Sequence, residues 1–376
     1  MTTAAIAEQI RSAHGARRRL RVRGAGTWLA AGRPVAVDES LSLAADSGIV
    51  EYVPGDLTLT ARAGTRLSEI ATATRAERQW LTLDPWGGDD GTLGATLSTA
   101  TAGPHAFATG LPRDLVLGME FVSGTGRVIN SGGRVVKNVA GFDLTRMMVG
   151  SWGTLGVITE ATVRLRALPD HTQTLAVAVP TSAPALTELA TRLRALPFAP
   201  FGAELLNAAL ATHLGLGGQP VLLVGVGGNE RSLRAQLAAV RALGDAREVG
   251  DRAWALLRGI ESSSSASWRW SQLPSAFGES WVAMNTGVGA FDAAFVHGSP
   301  ARGVVRAAVP FAASLDPSVL AHAAAEFTGT VAIESLPEDA WPFVDMRQAS
   351  DPISRAIRAK FDPAAILNPG ILGRDA

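Results

Sequence analysis

Apolar and polar residues alternate along several short stretches of this chain, and each such stretch predicts a β-strand. The alternation is clearest at 57–62, and a longer β-branched run occupies 157–166. Further strands are predicted at 17–22, 48–53, 81–85, 119–123, 175–179 and 221–226. Helices are predicted at 2–13, 183–196, 232–243, 321–327 and 356–361. Strands and helices are interspersed, and the β-α-β rhythm after residue 170 indicates a ferredoxin-like second domain.

The stretch at 150–160 interrupts this pattern with three glycines, spaced three residues apart, directly before a predicted strand. Glycine costs about 1 kcal/mol relative to Ala inside a helix, but it lets backbone approach a ligand closely or adopt a positive φ. The stretch therefore predicts a tight turn beneath a flat or anionic ligand, and a glycine-rich hairpin turn is the alternative. The residues concerned are Gly150, Gly153, Gly156, Val157 and Ile158.

Two other stretches of small residues follow predicted strands. At 23–27 the sequence Arg-Gly-Ala-Gly-Thr would expose consecutive backbone N–H groups, which suit a phosphate. Leu29 occupies the third glycine position of a Rossmann dinucleotide fingerprint, so this is a different kind of loop. At 91–103, hydroxyl and small side chains could let a bulky ligand lie against backbone. An ordinary loop and a close-packed Ala/Thr helix are the respective alternatives.

Composition excludes several classes of protein. The 376 residues are 47% hydrophobic and carry 34 basic and 34 acidic side chains, so the zero net charge favours neither nucleic acid nor an anionic membrane. The chain has no cysteine, which excludes disulfides, cysteine-ligated zinc and iron–sulfur clusters held by this chain. The N-terminus lacks the basic region of a secretory signal, and the longest uncharged run, 205–229, is too polar to span a bilayer. A cytoplasmic protein is predicted.

Six motifs in order carry a resemblance to a known superfamily. They are Arg23-Gly-Ala-Gly-Thr27, Gly91-Thr-Leu-Gly94 with its continuation to Gly103, Arg113-Asp-Leu-Val-Leu-Gly118, Lys137-Asn-Val-Ala-Gly-Phe-Asp143, Gly150-Ser-Trp-Gly-Thr-Leu-Gly-Val157 and Asn368-Pro-Gly370. Together they resemble the FAD-binding fold of the vanillyl-alcohol oxidase / p-cresol methylhydroxylase superfamily. Within it, the fourth motif and the short second half are similar to the FAD-binding E subunit of bacterial glycolate oxidase (glycolate dehydrogenase).

This resemblance implies an α+β fold with a two-part FAD-binding domain of the p-cresol methylhydroxylase type and a small ferredoxin-like α+β cap domain. The expected division is 1–170 for the FAD domain, 171–340 for the cap, and 341–376 for a segment that returns to the FAD domain. The implied cofactor-binding residues are Gly24, Ala25, Gly26, Thr27, Gly91, Thr92, Gly94, Ser98, Gly103, Gly150, Gly153, Gly156, Val157, Ile158 and Asn368. Thr27 stands where some relatives link FAD through a histidine, so non-covalent binding is expected.

Oxidation of a hydroxy acid needs a cation for the carboxylate and a base for the hydroxyl proton. Arg269, between Trp268 and Trp270, is the candidate cation, and His297 is a candidate base. Each has a structural alternative, as does His105 near the FAD motifs. No dense cluster of His, Asp and Glu in the sequence indicates a metal site. The resemblance implies such a site in the larger 2-hydroxy-acid dehydrogenases of the superfamily, so its lack here argues against turnover by this chain alone.

Three functions remain open from the sequence. The first is the FAD-binding subunit of a glycolate-oxidising complex, with a larger FAD-carrying subunit and an iron–sulfur subunit as partners. In that case the chain would be cytoplasmic, or peripheral to the inner membrane through its partners. The second is a free-standing FAD-dependent oxidase or dehydrogenase, and the third is an FAD-binding structural subunit without turnover. Tryptophans in the second half fit an aromatic docking face or an ordinary core, at positions 254, 268, 270, 281 and 341.

Overall fold

The computed structural model describes residues 2–133, 142–261, 264–291, 293–310, 316, 318, 327, 330–344 and 349–373. Most of the 137–143 motif and nearly all of the helix predicted at 321–327 lie outside these residues. The chain divides into two compact units. The first unit comprises Met1–Ala102, Gly110–Leu168 and Met346–Ala376, and the second comprises Gly103–Thr109 and Pro169–Asp345.

The described α-helices are α1 Thr3–Ala16, α2 Leu67–Arg75, α3 Leu93–Thr99, α4 Ala106–Thr109, α5 Pro112–Leu115, α6 Leu144–Met148, α7 Ala183–Arg194, α8 Ala208–His213, α9 Glu230–Arg241, α10 Arg252–Gly259, α11 Phe277–Gly287 and α12 Pro352–Phe361. Short 3-10 turns lie at Pro54–Asp56, Pro274–Ala276, Pro300–Arg302 and Trp341–Phe343.

The strands are β1 Leu20–Arg23, β2 Glu39–Ser42, β3 Ile49–Val53, β4 Thr58–Arg62, β5 Gln79–Trp80, β6 Val116–Val122, β7 Val128–Gly132, β8 Val157–Arg164, β9 Arg166–Ala167, β10 His171–Ala178, β11 Gly202–Leu206, β12 Val221–Gly228, β13 Ala246–Val249, β14 Ser264–Ser271, β15 Phe295–Ser299, β16 Val304–Pro310 and β17 Thr330–Ser335.

The main sheet of the first unit is five-stranded, in the order β3-β4-β8-β6-β7, so β8 is its central strand. All its pairs are antiparallel, with Ala161 opposite both Ala61 and Met119. Helix α1 contributes Ile6 and Ile10 to the same core, where both are fully buried. Each such side chain contributes about 1.5–3 kcal/mol by leaving water. The glycine stretch at 150–156 leads directly into β8, the central strand of this sheet.

Strand β1 lies apart from that sheet and is flanked on two sides. It pairs in parallel with β2, and Leu20 forms a parallel bridge with Leu367 in the C-terminal segment. The Leu20 amide donates to the Ile366 carbonyl at 2.7 Å, and the Asn368 amide donates to the Leu20 carbonyl at 2.9 Å. The segment after α12 is therefore hydrogen-bonded to the strand that precedes the 24–27 loop.

The second unit is built on an eight-stranded antiparallel sheet, in the order β13-β10-β12-β11-β15-β16-β14-β17. If the four strands of each half are numbered in chain order, they lie in the order 4-1-3-2 from the outer edge of the sheet, as in a β-α-β-β-α-β motif. Helices α7 and α9 are the crossovers in the first half, and α11 is a crossover in the second. The two halves join where β11 pairs with β15. The sequence gives no sign of a repeat, yet the topology occurs twice.

Two stretches differ from what their local sequence predicts. The serine-rich stretch at 261–267 has the composition of a flexible loop, but β14 begins at Ser264 and lies between β16 and β17. The strand expected at 81–85 is not formed. Strand β5 ends at Trp80, and the chain continues without regular structure to Trp86.

Three of the five tryptophans considered for an aromatic docking face lie in the core instead. Trp268, Trp281 and Trp341 are only 1%, 3% and 7% exposed and belong to the core. Trp254 packs over Gly202 and Gly225 of the sheet, with its indole N–H donating to Thr174 at 3.0 Å. Trp254 therefore covers part of the large antiparallel sheet.

Candidate functional site

A cavity in the first unit gathers residues from four of the six predicted motifs. It contains about 1030 Å³ of space between atoms, including the solvent at its mouth. Its wall is formed by β1 with the loop up to Ala31, the stretch 85–101, and the glycine turn with the start of β8. Asn368 and Ile371 of the C-terminal segment complete it. Elements far apart in sequence therefore converge on one concave surface.

Thirteen of the fifteen predicted cofactor-binding residues line this cavity. They are Gly24, Ala25, Gly26, Thr27, Gly91, Thr92, Gly94, Ser98, Gly153, Gly156, Val157, Ile158 and Asn368. The other two, Gly103 and Gly150, do not. Gly103 falls in the second unit, and Gly150 packs behind the wall, its amide donating to the Leu97 carbonyl at 3.0 Å.

Two glycines are required where the wall segments pack on one another. A Cβ at Gly24 would lie 2.1 Å from Thr92 Oγ1, and a Cβ at Gly94 would lie 2.6 Å from the Cβ of Ala63. Contacts that short are impossible, so the loop, α3 and the end of β4 approach as closely as they do only because these side chains are absent.

Gly153 has both a steric and a conformational reason to be glycine. Its φ is +71°, a left-handed value that other residues adopt at a cost. A Cβ there would lie 2.7 Å from Asn368 Nδ2. That same Nδ2 donates to the Trp152 carbonyl at 2.8 Å, and Asn368 Oδ1 accepts from the Val22 amide at 2.8 Å. Asn368 thus binds the glycine turn and β1 with one side chain.

Several residues of the cavity wall escaped the sequence interpretation. They include Arg21, Trp28, Trp86 and Trp152. The available signal was the pairing of Arg21 and Arg23 on a short strand directly before the small-residue loop. The tryptophans at 28, 86 and 152 each adjoin a glycine-containing stretch, which is where an aromatic wall for a flat ligand would be expected.

The chemistry of the wall fits an anionic, flat cofactor. Three of its potential donors, Arg21 Nη1, Thr92 Oγ1 and Thr101 Oγ1, are buried without a hydrogen-bond partner among the described residues. Buried polar atoms normally have partners, so these three are suited to a ligand's oxygens. Among the described residues, the lining contains two arginines and no Asp or Glu. The same residues of the lining include no Cys, His or Tyr side chain to which a flavin could be attached covalently.

The second unit brings the two predicted catalytic residues into one charged network. His297 Nδ1 lies 3.3 Å from Glu204 Oε2, and its Nε2 lies 3.3 Å from Glu261 Oε1. Arg306 Nη2 donates to Glu261 Oε2 at 2.7 Å, and Arg306 also pairs with Glu334. Arg269 Nε lies 3.3 Å from Glu334 Oε1. We call these six residues the buried charge network.

Burial differs sharply within this network. His297 is completely buried, whereas the Arg269 side chain is 37% exposed. Burial by itself lowers the pKa of His297, but the hydrogen bonds from Glu204 and Glu261 outweigh it and raise that pKa. Burial likewise raises the pKa of Glu261, but the charge and hydrogen bonds of Arg306 lower it to about 2. The raised pKa favours the imidazolium form of His297, and the ring is completely buried between two carboxylates, so the structure does not favour a role as general base.

Within the described ranges, no group of three or more His, Cys, Asp or Glu side chains is arranged to hold a metal ion. In the same part of the chain, no helix combines the length and the apolarity needed to cross a bilayer. His105, the other histidine considered, lies in the second unit next to α4, where its carbonyl accepts from Thr109.

Comparison with known proteins matches this geometry. A family profile described as "FAD binding domain" matches residues 1–132. The chain is 39% identical to the glycolate oxidase subunit GlcE of Escherichia coli over 166 residues, which are 44% of this chain and 47% of that protein. It is 35% identical to the glycolate oxidase subunit GlcD of Bacillus subtilis, over 41% of this chain and 33% of that protein.

A D-lactate dehydrogenase of Archaeoglobus fulgidus is 36% identical over 43% of this chain and 36% of its own length. The matches thus span less than half the length of each of these relatives.

Among solved structures, alkyldihydroxyacetonephosphate synthase superposes with a TM-score of 0.66 at 17% identity, covering 97% of this chain and 74% of that one. At that identity the likeness concerns the fold alone, and it confirms the predicted α+β fold. The profile match, the fold and the cavity agree with one another. Residues 1–132 match a profile for an FAD binding domain, and FAD is the cofactor that this match supports for the chain.

Proposed function

We propose that this chain is the FAD-binding subunit of a complex that oxidises a small 2-hydroxy acid such as glycolate. The observation that carries the proposal is the cavity wall, which offers unpartnered donors and two arginines to an anionic cofactor and no acidic side chain. The similarity to glycolate oxidase subunits directs the choice of substrate class. In that complex a larger FAD-carrying subunit and an iron–sulfur subunit would be the partners.

Bound FAD would supply the hydride acceptor, flavin N5. The residues of this chain would bind and orient it: the backbone of Gly24 to Thr27 at the pyrophosphate, and the glycine turn and Asn368 along the flavin. The wall lacks a side chain able to form a covalent link. The FAD is therefore proposed to be held by packing and hydrogen bonds alone.

Arg269 is the proposed ligand of the substrate carboxylate. Its guanidinium is the exposed end of the buried charge network, and Glu334 orients it from one side at 3.3 Å. A partly buried cation makes stronger hydrogen bonds to a carboxylate than a neutral donor does. Because His297 is completely buried between Glu204 and Glu261, it is not the proposed base, and the proposed proton acceptor is another group or a water molecule.

A second candidate function is an FAD-binding subunit that performs no turnover of its own. The burial of His297 favours it, because the histidine suggested by the sequence cannot reach a substrate. The electrons of a reduced flavin must also leave the protein, and a chain without cysteine holds no cysteine-ligated iron–sulfur cluster to carry them. The reduced flavin would pass its electrons either to partner subunits or directly to oxygen.

One set of measurements separates these functions. The chain is purified from its native host and assayed with glycolate and D-lactate, first with an artificial electron acceptor and then under air. Co-purification of a second flavoprotein and an iron–sulfur protein, with turnover only in the assembled complex, supports the proposal. Efficient hydrogen peroxide formation by the lone chain would instead establish a free-standing oxidase. Turnover by the partners alone, unchanged when an FAD-free variant of this chain is incorporated, would leave it a structural subunit.

A further inference from the structure

Arg21 occupies an unusual position in the cavity wall. It is the second residue of β1, and its side chain reaches across the small-residue loop, where Nη2 donates to the Leu29 carbonyl at 3.2 Å. The other terminal nitrogen, Nη1, is buried and has no hydrogen-bond partner among the described residues. One terminal nitrogen of the Arg21 guanidinium is thus hydrogen-bonded, and the other is an unpartnered donor in a residue that lines the cavity.

The charge of Arg21 is not neutralised within the described part of the protein. Its only resolved perturbation is burial, which lowers its pKa, and no carboxylate contributes. Arg19, two residues earlier, is the contrast: it is exposed and pairs with Asp38 at 3.1 Å. It costs free energy to bury a cation partly when no anion lies next to it. That cost is recovered if the missing anion arrives with the ligand.

We propose that Arg21 is the phosphate ligand of this cavity and makes it select a flavin that carries phosphate. An arginine fork matches phosphate oxygens geometrically and forms charge-assisted hydrogen bonds to them. FAD carries a pyrophosphate and riboflavin carries no phosphate, so Arg21 contributes to binding the first and not the second. Neither the profile match nor the glycine motifs assign this residue. The inference rests on the FAD site alone and is independent of the oxidation proposed above.

The test is equilibrium binding to the FAD-free chain, followed by flavin fluorescence. Arg21→Met keeps the length of the aliphatic stem and removes the guanidinium. Loss of hydrogen bonds to a charged group costs about 1.5–3 kcal/mol, so the Kd for FAD should rise about 10- to 100-fold. The Kd for riboflavin should not change. Arg19→Met is the matched control, on the same stretch but outside the cavity, and should leave both constants unchanged.

Three outcomes would overturn the proposal: unchanged FAD affinity in Arg21→Met, an equal loss for FAD and riboflavin, or an equal loss in Arg19→Met. If riboflavin binds too weakly to measure, the salt dependence decides. FAD affinity of the native chain should fall as the KCl concentration rises, and an Arg21→Met chain whose affinity falls as steeply contradicts the role of Arg21.

If Arg21→Met does not fold, Arg21→Lys replaces it. Lysine keeps the charge without the fork, so FAD affinity should fall by less than 100-fold while riboflavin is unaffected, and an equal loss for both again overturns the proposal.

Discussion

Asn368 and Val22 are separated by 346 positions in sequence, yet the Val22 amide donates to Asn368 Oδ1 at 2.8 Å. The other end of the same amide side chain donates to the Trp152 carbonyl at 2.8 Å. Asn368 also has a φ of +43°, a conformation that asparagine tolerates better than most residues. One side chain therefore fixes the C-terminal segment, β1 and the glycine turn against each other at the cavity.

Asn368→Ala should weaken both folding and cofactor binding. It leaves the Val22 N–H and the Trp152 carbonyl without partners, at a cost of about 1–3 kcal/mol for each buried group. The melting temperature of the FAD-free chain and the Kd for FAD are the measurements. Asn229→Ala is the control, because Asn229 is an exposed N-cap of α9 that does not line the cavity. It should lower stability by about 1 kcal/mol and leave FAD affinity unchanged.

Gly153→Val should abolish FAD binding while the rest of the fold is retained. A β-branched side chain would collide with Asn368 and enter the space beside the cavity. Gly215→Val is a close control: Gly215 has the same φ of +71° but no atom within 4 Å of a Cβ. The two variants share the backbone strain and differ in the collision. Stoichiometric FAD in purified Gly153→Val would mean that the stretch is only a turn.

His297 should stabilise the protein more at pH 6 than at pH 9. Its pKa is raised in the folded state from the ordinary 6.5, so its contribution is complete below pH 6.5 and is lost as the pH rises through the folded value. The measurement is the difference in unfolding free energy between the native chain and His297→Gln at the two pH values. The same pH dependence in the exposed variant His213→Gln would contradict the assignment.

Glu261 should act in the opposite direction. Its pKa is lowered from 4.5 to about 2, so its contribution is complete above pH 4.5 and is lost as the pH falls towards 2. Glu261→Gln leaves Arg306 without the carboxylate that accepts two of its hydrogen bonds, and removing one partner of a buried pair costs about 3–5 kcal/mol. Denaturant unfolding at pH 6 should show this loss, and at pH 3 the difference should be smaller. A difference that does not shrink would place the effect in packing.

Arg269→Ala should raise the KM for a 2-hydroxy acid far more than that for an uncharged alcohol, if the assembled protein turns over. The reason is the loss of a charge-assisted contact to the carboxylate. Arg234→Ala, at an exposed i,i+4 pair with Glu230 on α9, is the control. An equal effect on both substrates, or a loss of thermal stability alone, would return Arg269 to a structural role in the buried charge network.

FAD should be released intact when the protein is denatured. Thr27 stands where a linking histidine would be expected, and the cavity wall has no Cys, His or Tyr. Precipitation with acid should therefore leave the yellow flavin in the supernatant. A pellet that keeps flavin fluorescence would disprove non-covalent binding.

The sequence predicted well those strands and helices that bury one face and expose the other. Strand β8 was expected at 157–166 and is Val157–Arg164, and α7 was expected at 183–196 and is Ala183–Arg194. Local periodicity carries that information. Strand β14 was missed because its position between two other strands, rather than its serine-rich sequence, determines its conformation.

The buried charge network could not be predicted, because its members come from five strands and one loop. Each of these charged residues, taken locally, looks like an ordinary surface position, and only the order of the strands brings them together. Arg21 was missed for a related reason. That an arginine lacks a carboxylate partner is a property of the folded chain, and sequence spacing does not record it.

The position of Asn368 has a consequence for the order in which the cavity wall is completed during synthesis. On the ribosome, β1 and the glycine turn emerge long before the residue that clamps them, with every strand of the second unit synthesised in between. At 5–20 residues per second, the interval between synthesis of the glycine turn and synthesis of Asn368 is roughly 10 to 40 s. A nascent chain that has been synthesised only as far as the second unit therefore lacks the side chain that holds β1 and the glycine turn together at the cavity.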